Sequence, residues 1–227
     1  MKTIAAQLQK IRQQISDAER RFERSPGSAQ LLAVSKTKPI DAIRAAIAEG
    51  QHSFGENYLQ EAVEKIETLH NPALDWHFIG AIQSNKTATI AANFNWVHTV
   101  DRLKIARRLS EQRPESLPPL NICLQVNTSG EQSKSGITFD ELEDLAKEVV
   151  ALPGVSLRGL MTIPAPEDDF ERQRLPFRQL RLALERLNQQ GHQLDTLSMG
   201  MSSDLEAAIA EGATYVRIGS AIFGARN

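Results

Sequence analysis

Lys36 closes the apolar run "LLAVSK" (31–36), just where a strand pattern gives way to the helical pattern "PIDAIRAAIAEG" (39–50). An ammonium is expensive to move out of water, so a lysine drawn partly into an apolar site sheds its proton at moderate pH. The neutral amine attacks aldehydes and forms Schiff bases. On this stretch alone a plainer reading stands beside it, in which the side chain runs past the strand end into solvent. Far along the chain, "LSMGMSSDLEAAIAEG" (197–212) carries a strand through Gly200 into Ser202 and Ser203 and then into a helix start. Hydroxyls and backbone N–H groups can gather round an anion there. "YVRIGSAIFG" (215–224) brings another strand to Gly219 and Ser220, where a missing Cβ lets backbone N–H groups approach a ligand. Each loop by itself is also an ordinary cap.

These residues can act together only if the fold collects them. After an opening amphipathic helix (1–24, with Ile4, Leu8, Ile11, Ile15 and Phe22 at helical spacing), short apolar runs alternate with helical patterns. Strands are expected at 31–36, 52–56, 76–80, 96–100, 120–127, 157–163, 195–199 and 215–219, with helices near 39–49, 58–69, 84–92, 102–112, 138–151, 170–190 and 203–211. Pro39 suits a first helical residue, Gly50 and Gly212 suit C-terminal caps, and Ser203 with Glu206 reads as a capping box. Strict alternation implies a parallel sheet covered on both faces, and eight units fit a closed (β/α)8 TIM-type barrel of the α/β class. The chain 1–227 is expected to be one barrel domain with the N-terminal helix packed on it. An open doubly wound sheet would want a G-x-G-x-x-G fingerprint after an early strand, which the sequence lacks.

Barrels do their chemistry at the C-terminal ends of the strands, and often hold phosphate in the loops after strands seven and eight. Lys36 falls at the end of strand one, Glu56 and Asn57 after strand two, and Gly219 after strand eight. A Schiff-base lysine facing a phosphate site suggests pyridoxal 5′-phosphate, which carries an aldehyde and a phosphate on one ring. Arg217, two residues before Gly219 on the same strand face, can point inward to the pyridine nitrogen and keep it unprotonated. An ion pair at the barrel rim is the competing reading of Arg217.

The remaining composition excludes more than it specifies. With 24% charged residues and a formal net charge of -2, the 227-residue chain lacks the basic balance of a nucleic-acid binder. No apolar run is long enough to cross a bilayer and no signal segment is visible, so a cytoplasmic protein is expected. Cys123, the single cysteine, sits in "NICLQV" and reads as a buried, inert thiol. The scattered histidines and acids predict no metal site. "EQSKSG" (131–136) reads as a solvated turn or a loop over the site.

The ordered stretches "AVSKTKP", "FGENYLQEA", "WHFIGAIQSNK", "HTVDR", "SKSGI", "RGLMTIPAP", "LSMGMSSDLEAAI" and "VRIGSAIFGAR" resemble the pyridoxal-phosphate homeostasis family, also called the YggS or proline-synthase co-transcribed family. The resemblance implies a barrel like the N-terminal domain of alanine racemases, with the cofactor held as an internal aldimine. It carries the Schiff-base role onto Lys36, phosphate binding onto Ser202, Gly219 and Ser220, and the pyridine contact onto Arg217. Asn57 of "GENY" is an additional ring-side candidate. His77 of "WHFIG" is either a cofactor contact or a hydrogen-bonded core residue. Ala81 stands where the family often has proline, and the chain stops at Asn227 where many relatives carry a short polar tail.

Three functional classes follow. The first, which the resemblance favours, is an intracellular carrier of pyridoxal phosphate without a dedicated reaction or catalytic residue, passing the cofactor to apoenzymes that require it. The second is an amino-acid racemase of the alanine racemase type, which needs an acid/base group on each face of the cofactor. Alanine racemases take one such group, a tyrosine, from a partner subunit's added β-domain. Neither Tyr58 nor Tyr215 matches that position, and the missing domain leans toward a monomer. The third, a Schiff-base aldolase, usually brings its lysine from a late strand.

Overall fold

The computed structural model describes residues 3–131 and 134–224. Gln132 and Ser133 of the "EQSKSG" segment lie outside the described residues, as do the last three positions, on which the expectation of a shortened tail falls. Among the described residues, eight parallel strands close into a barrel in sequence order. They are β1 (Gln30–Val34), β2 (Ser53–Glu56), β3 (Asp75–Phe78), β4 (Trp96–Val100), β5 (Leu120–Gln125), β6 (Val155–Met161), β7 (Thr196–Ser198) and β8 (Tyr215–Ile218). Closure is explicit in the register: β1 pairs with β2 at Ala33–Phe54 and with β8 at Ala33–Ile218. The TIM-type fold expected from the alternation is therefore the one observed.

The helices α1 (Ile4–Arg21), α2 (Ile40–Ala48), α3 (Leu59–Leu69), α4 (Thr87–Asn93), α5 (Leu103–Glu111), α6 (Phe139–Val150), α7 (Phe170–Gln189), α8 (Leu205–Ala210) and α9 (Ser220–Phe223) accompany the strands. Helix α1 buries Leu8, Ile11 and Ile15 against the body, and Phe22 just beyond it stacks on Phe170 at 6.0 Å. Each such aliphatic side chain removed from water contributes roughly 1.5–3 kcal/mol, enough to hold the helix down. Its contacts fall on α2, α8 and α9, two of which border the loops of interest. No described helix is long and apolar enough to cross a membrane.

The structure corrects several local expectations. Pro39 is the N-cap of α2, not its first helical residue: its ψ of 157° is extended, and its carbonyl accepts the first helical bond from the Ala42 N–H. The Ser203–Glu206 capping box does not form. Asp204 takes the cap position of α8 without a side-chain cap bond, its carboxylate instead accepting the Met201 N–H at 2.5 Å and closing the turn before the helix. The true capping box is Thr138 with Glu141 at the start of α6. Residues 84–86 form a 3₁₀ turn before α4, and the residues after Gly219 form the short α9.

Most of the apolar core lies between the sheet and the helices, while Trp96, Cys123 and Met161 form a second cluster against Tyr215. At the N-terminal ends of the strands Arg158 lies 5.0 Å from the centre of the Trp96 ring and pairs with Asp195, closing that mouth. The opposite mouth is where the sequence places its chemistry.

Candidate functional site at the C-terminal mouth of the barrel

A cavity of about 400 Å³ opens at the C-terminal ends of β1, β2, β7 and β8. It is in the size range of small-ligand sites. The structure brings six of the seven expected residues to its wall: Lys36, Asn57, Ser202, Arg217, Gly219 and Ser220. Among the described lining residues the ionisable side chains are Lys36, Lys38 and Arg217, with no carboxylate, so the electrostatics select an anion. Val34, Ile79, Ile163 and Met201 supply apolar faces for a flat ring. A larger groove of about 740 Å³ between α3 and α4 shares Asn57, but its lining carries the carboxylate of Glu64 as well as Lys86 and includes none of the other expected site residues.

Two glycines shape the side of the cavity formed by the loops after β7 and β8. Gly200, at φ +93°, turns the chain out of β7, and a Cβ there would stand 2.4 Å from the Cβ of Ala208. Both the backbone and the helix behind it demand glycine. Its carbonyl accepts the N–H of Arg217, tying the two loops together. Gly219 has an ordinary φ of −117°, yet a Cβ would sit 3.1 Å from the Val34 carbonyl oxygen. The backbone at the end of β8 thus lies close against β1, and Ser202 and Ser220 line the same cavity.

Arg217 is only 5% exposed, and one of its terminal nitrogens donates to Ser198 Oγ at 2.8 Å, the other to the Thr162 carbonyl at 2.9 Å. Burial lowers its pKa to about 10, with the Asp204 charge partly offsetting that, so it stays protonated at neutral pH. Ser198 Oγ in turn lies 2.7 Å from His98 Nδ1, and His98 Nε2 lies 2.9 Å from His77 Nδ1. Arginine can only donate. The orientation that uses the Ser198 hydroxyl hydrogen within the chain runs outward from it: guanidinium to Ser198, Ser198 to His98, His98 to His77, which leaves the N–H of His77 on Nε2.

His77 does not line the cavity. It is fully buried, stacked on Trp96 with ring centres 5.5 Å apart, and its Nε2 has no hydrogen-bond partner. Burial pushes its pKa down to about 3 and also depresses that of His98, aided by the neighbouring His77 and Arg217. Both rings are neutral at physiological pH, and together they fill the barrel beneath the arginine.

His98, Ser198 and Thr162 escaped the sequence reading. The observed strand bounds make His77 and His98 each the third residue of adjacent strands, a match that the expected strands 76–80 and 96–100 did not show.

The alanine racemase N-terminal domain family matches residues 6–227. A pyridoxal phosphate homeostasis protein of Pseudomonas aeruginosa is 58% identical over 227 residues, covering 100% of this chain and 97% of that protein. The chain belongs to the pyridoxal phosphate homeostasis protein family. Another member, from Escherichia coli K12, is 54% identical over 230 residues and covers 100% of this chain and 98% of that protein. The solved structure of PipY from Synechococcus elongatus with PLP bound superimposes with a TM-score of 0.80 at 38% identity, over 92% of this chain and 100% of PipY.

Proposed function

We propose that this protein binds pyridoxal 5′-phosphate in the C-terminal cavity, joined to Lys36 as a Schiff base, and serves cofactor homeostasis as a carrier with no dedicated reaction. The observation that carries the reading is the convergence of Lys36, Arg217 and the Ser202, Gly219 and Ser220 cup on one cavity with no carboxylate among its described lining residues. When bound, the cofactor supplies an aldehyde for the amine and a phosphate for the cup. Condensation of the Lys36 amine with that aldehyde forms a C=N bond and releases one water. Ser202 and Ser220 donate their hydroxyls to phosphate oxygens, and the backbone at Gly219 stands close behind them. Asn57 borders the ring from β2.

Arg217 is assigned to the pyridine nitrogen. A protonated guanidinium donates and does not release its proton, so the nitrogen stays unprotonated and the ring withdraws electrons weakly. His77 contributes from beneath, as the far end of the chain that holds Arg217 through His98 and Ser198. The two tyrosines offer no second-face base: neither Tyr58 nor Tyr215 lines the cavity. That favours the carrier reading over racemase-type turnover, which needs an acid/base group on each face of the cofactor. The same reading places the protein in the cytoplasm as a monomer and makes apoenzymes that require the cofactor its recipients.

The test is spectroscopic and then functional. Protein mixed with pyridoxal phosphate and desalted is expected to keep a visible absorption band that borohydride bleaches, and to restore activity to an apoenzyme added afterwards. A colourless protein, or a band whose cofactor never reaches the apoenzyme, would overturn the binding and the carrier parts of the reading respectively.

A further inference from the structure

The turn that carries Lys36 rests on a buried ion cluster. Lys65, on the inner face of α3 and 4% exposed, donates to Glu56 Oε1 at 2.7 Å, to Glu61 Oε1 and to the Ser35 carbonyl at 2.8 Å. An ammonium has three donors, and all three are used. Ser35 Oγ donates to the same Glu56 oxygen at 2.6 Å, and the Thr37 N–H donates to Glu61 Oε1 at 2.6 Å. The backbone groups on both sides of Lys36, the carbonyl of Ser35 and the N–H of Thr37, therefore end on this one cluster.

Stability alone is a poor account of it. Buried ion pairs are often matched or bettered by apolar residues of similar volume, because removing charges from water costs more than their attraction returns. Glu56 is fully buried and its Oε2 has no partner, a sign that the site was not optimised as a structural bridge. Thr37 has φ +61°, a left-handed conformation that a β-branched residue enters only under constraint. Its N–H bond to Glu61 supplies such a constraint, and the turn it fixes is the one that aims Lys36.

We infer that Lys65, with Glu56 and Glu61, is a positioning cluster for Lys36: it locks the 35–38 turn so that the amine meets the ligand aldehyde without further ordering. The inference rests on Lys36 as the point of attachment. Holding a reacting group in place saves the entropy of ordering it, so the cluster should favour the covalent part of binding and leave the phosphate part alone.

Two ligands separate these parts. Pyridoxal 5′-phosphate can condense with Lys36, whereas pyridoxine 5′-phosphate has an alcohol in place of the aldehyde and keeps only the non-covalent ring and phosphate contacts. Glu61 is partly exposed, so Glu61→Ala is the variant that keeps its fold, checked by an unchanged circular dichroism spectrum. Loss of the two hydrogen bonds that Glu61 accepts, from the Thr37 N–H and from Lys65, is expected to weaken pyridoxal phosphate binding about tenfold, to lower the fraction of bound ligand that borohydride fixes to Lys36, and to leave pyridoxine phosphate affinity within about twofold. Lys65→Met combined with Glu56→Gln, which leaves no buried Glu56 charge unpaired, should repeat the pattern more strongly. Equal weakening of both ligands, or no weakening of either, would overturn the inference. Wild-type protein that binds pyridoxal phosphate without modification of Lys36 would overturn the attachment reading itself, and is recognised before any variant is made.

Discussion

Replacing Ser202 by alanine together with Gly219 by valine attacks the phosphate cup from both sides. The first change removes a hydroxyl donor, and a hydrogen bond to a charged group contributes about 1.5–3 kcal/mol. The second places a Cβ 3.1 Å from the Val34 carbonyl oxygen and 3.3 Å from the Val34 Cβ, with two further methyl carbons beyond it. Because φ at Gly219 is −117°, the backbone itself tolerates a side chain, so the cost is local crowding of about 1–3 kcal/mol rather than strain. Residues this close do not combine additively. A joint loss of about 3 kcal/mol, or roughly a hundredfold in affinity, is the expected magnitude. The assay is a fluorescence titration with pyridoxal phosphate, with a thermal melt in parallel to show that the barrel is intact. Affinity within about twofold of wild type in a folded double variant would refute the placement of the phosphate.

The carrier reading predicts that pure protein loaded with cofactor exchanges the α-proton of L- and D-amino acids only at a slow background rate. Turnover near roughly 1–1,000 per second would favour the racemase. The buried histidines make a pH prediction. With folded pKa values below the ordinary 6.5, both rings stay neutral in the folded state while the unfolded chain takes up their protons, so stability is full above about pH 6.5 and falls as pH drops toward 3. Urea midpoints at pH 7 and pH 5 should show that fall, and the His77→Leu, His98→Leu double variant should flatten it; an unchanged slope would contradict the neutral pair. Cys123 is fully buried and its thiol is pushed up in pKa by that burial, so a thiol reagent should label it only after unfolding. Rapid labelling of native protein would show that the barrel interior opens.

What the sequence revealed was the part governed by local pattern. Strand and helix periods located the barrel, and the chemistry stood at strand ends because "LLAVSK" and "YVRIGS" stop in residues that an apolar strand has no use for. Contacts made across the barrel were not legible in the same way. Glu61 and Lys65 stand four apart on α3, the spacing of an ordinary solvated pair, and only the packing of α3 on β2 turns them into a buried cluster with Glu56. Ser198 looks like an unremarkable strand residue until Arg217 and His98 are found on either side of it. The misplaced caps have the same origin: Ser203 and Pro39 satisfy local rules, but Asp204 and the turn at Thr37 override them through bonds to Met201 and Glu61.

The central claim is that the cofactor's aldehyde is held by Lys36. Protein loaded with pyridoxal phosphate, reduced with borohydride, digested and sequenced by mass spectrometry is expected to carry one pyridoxyl group, on the peptide containing Lys36 and on that residue. A pyridoxyl group on Lys38 or Lys134, with Lys36 unmodified, would contradict the account.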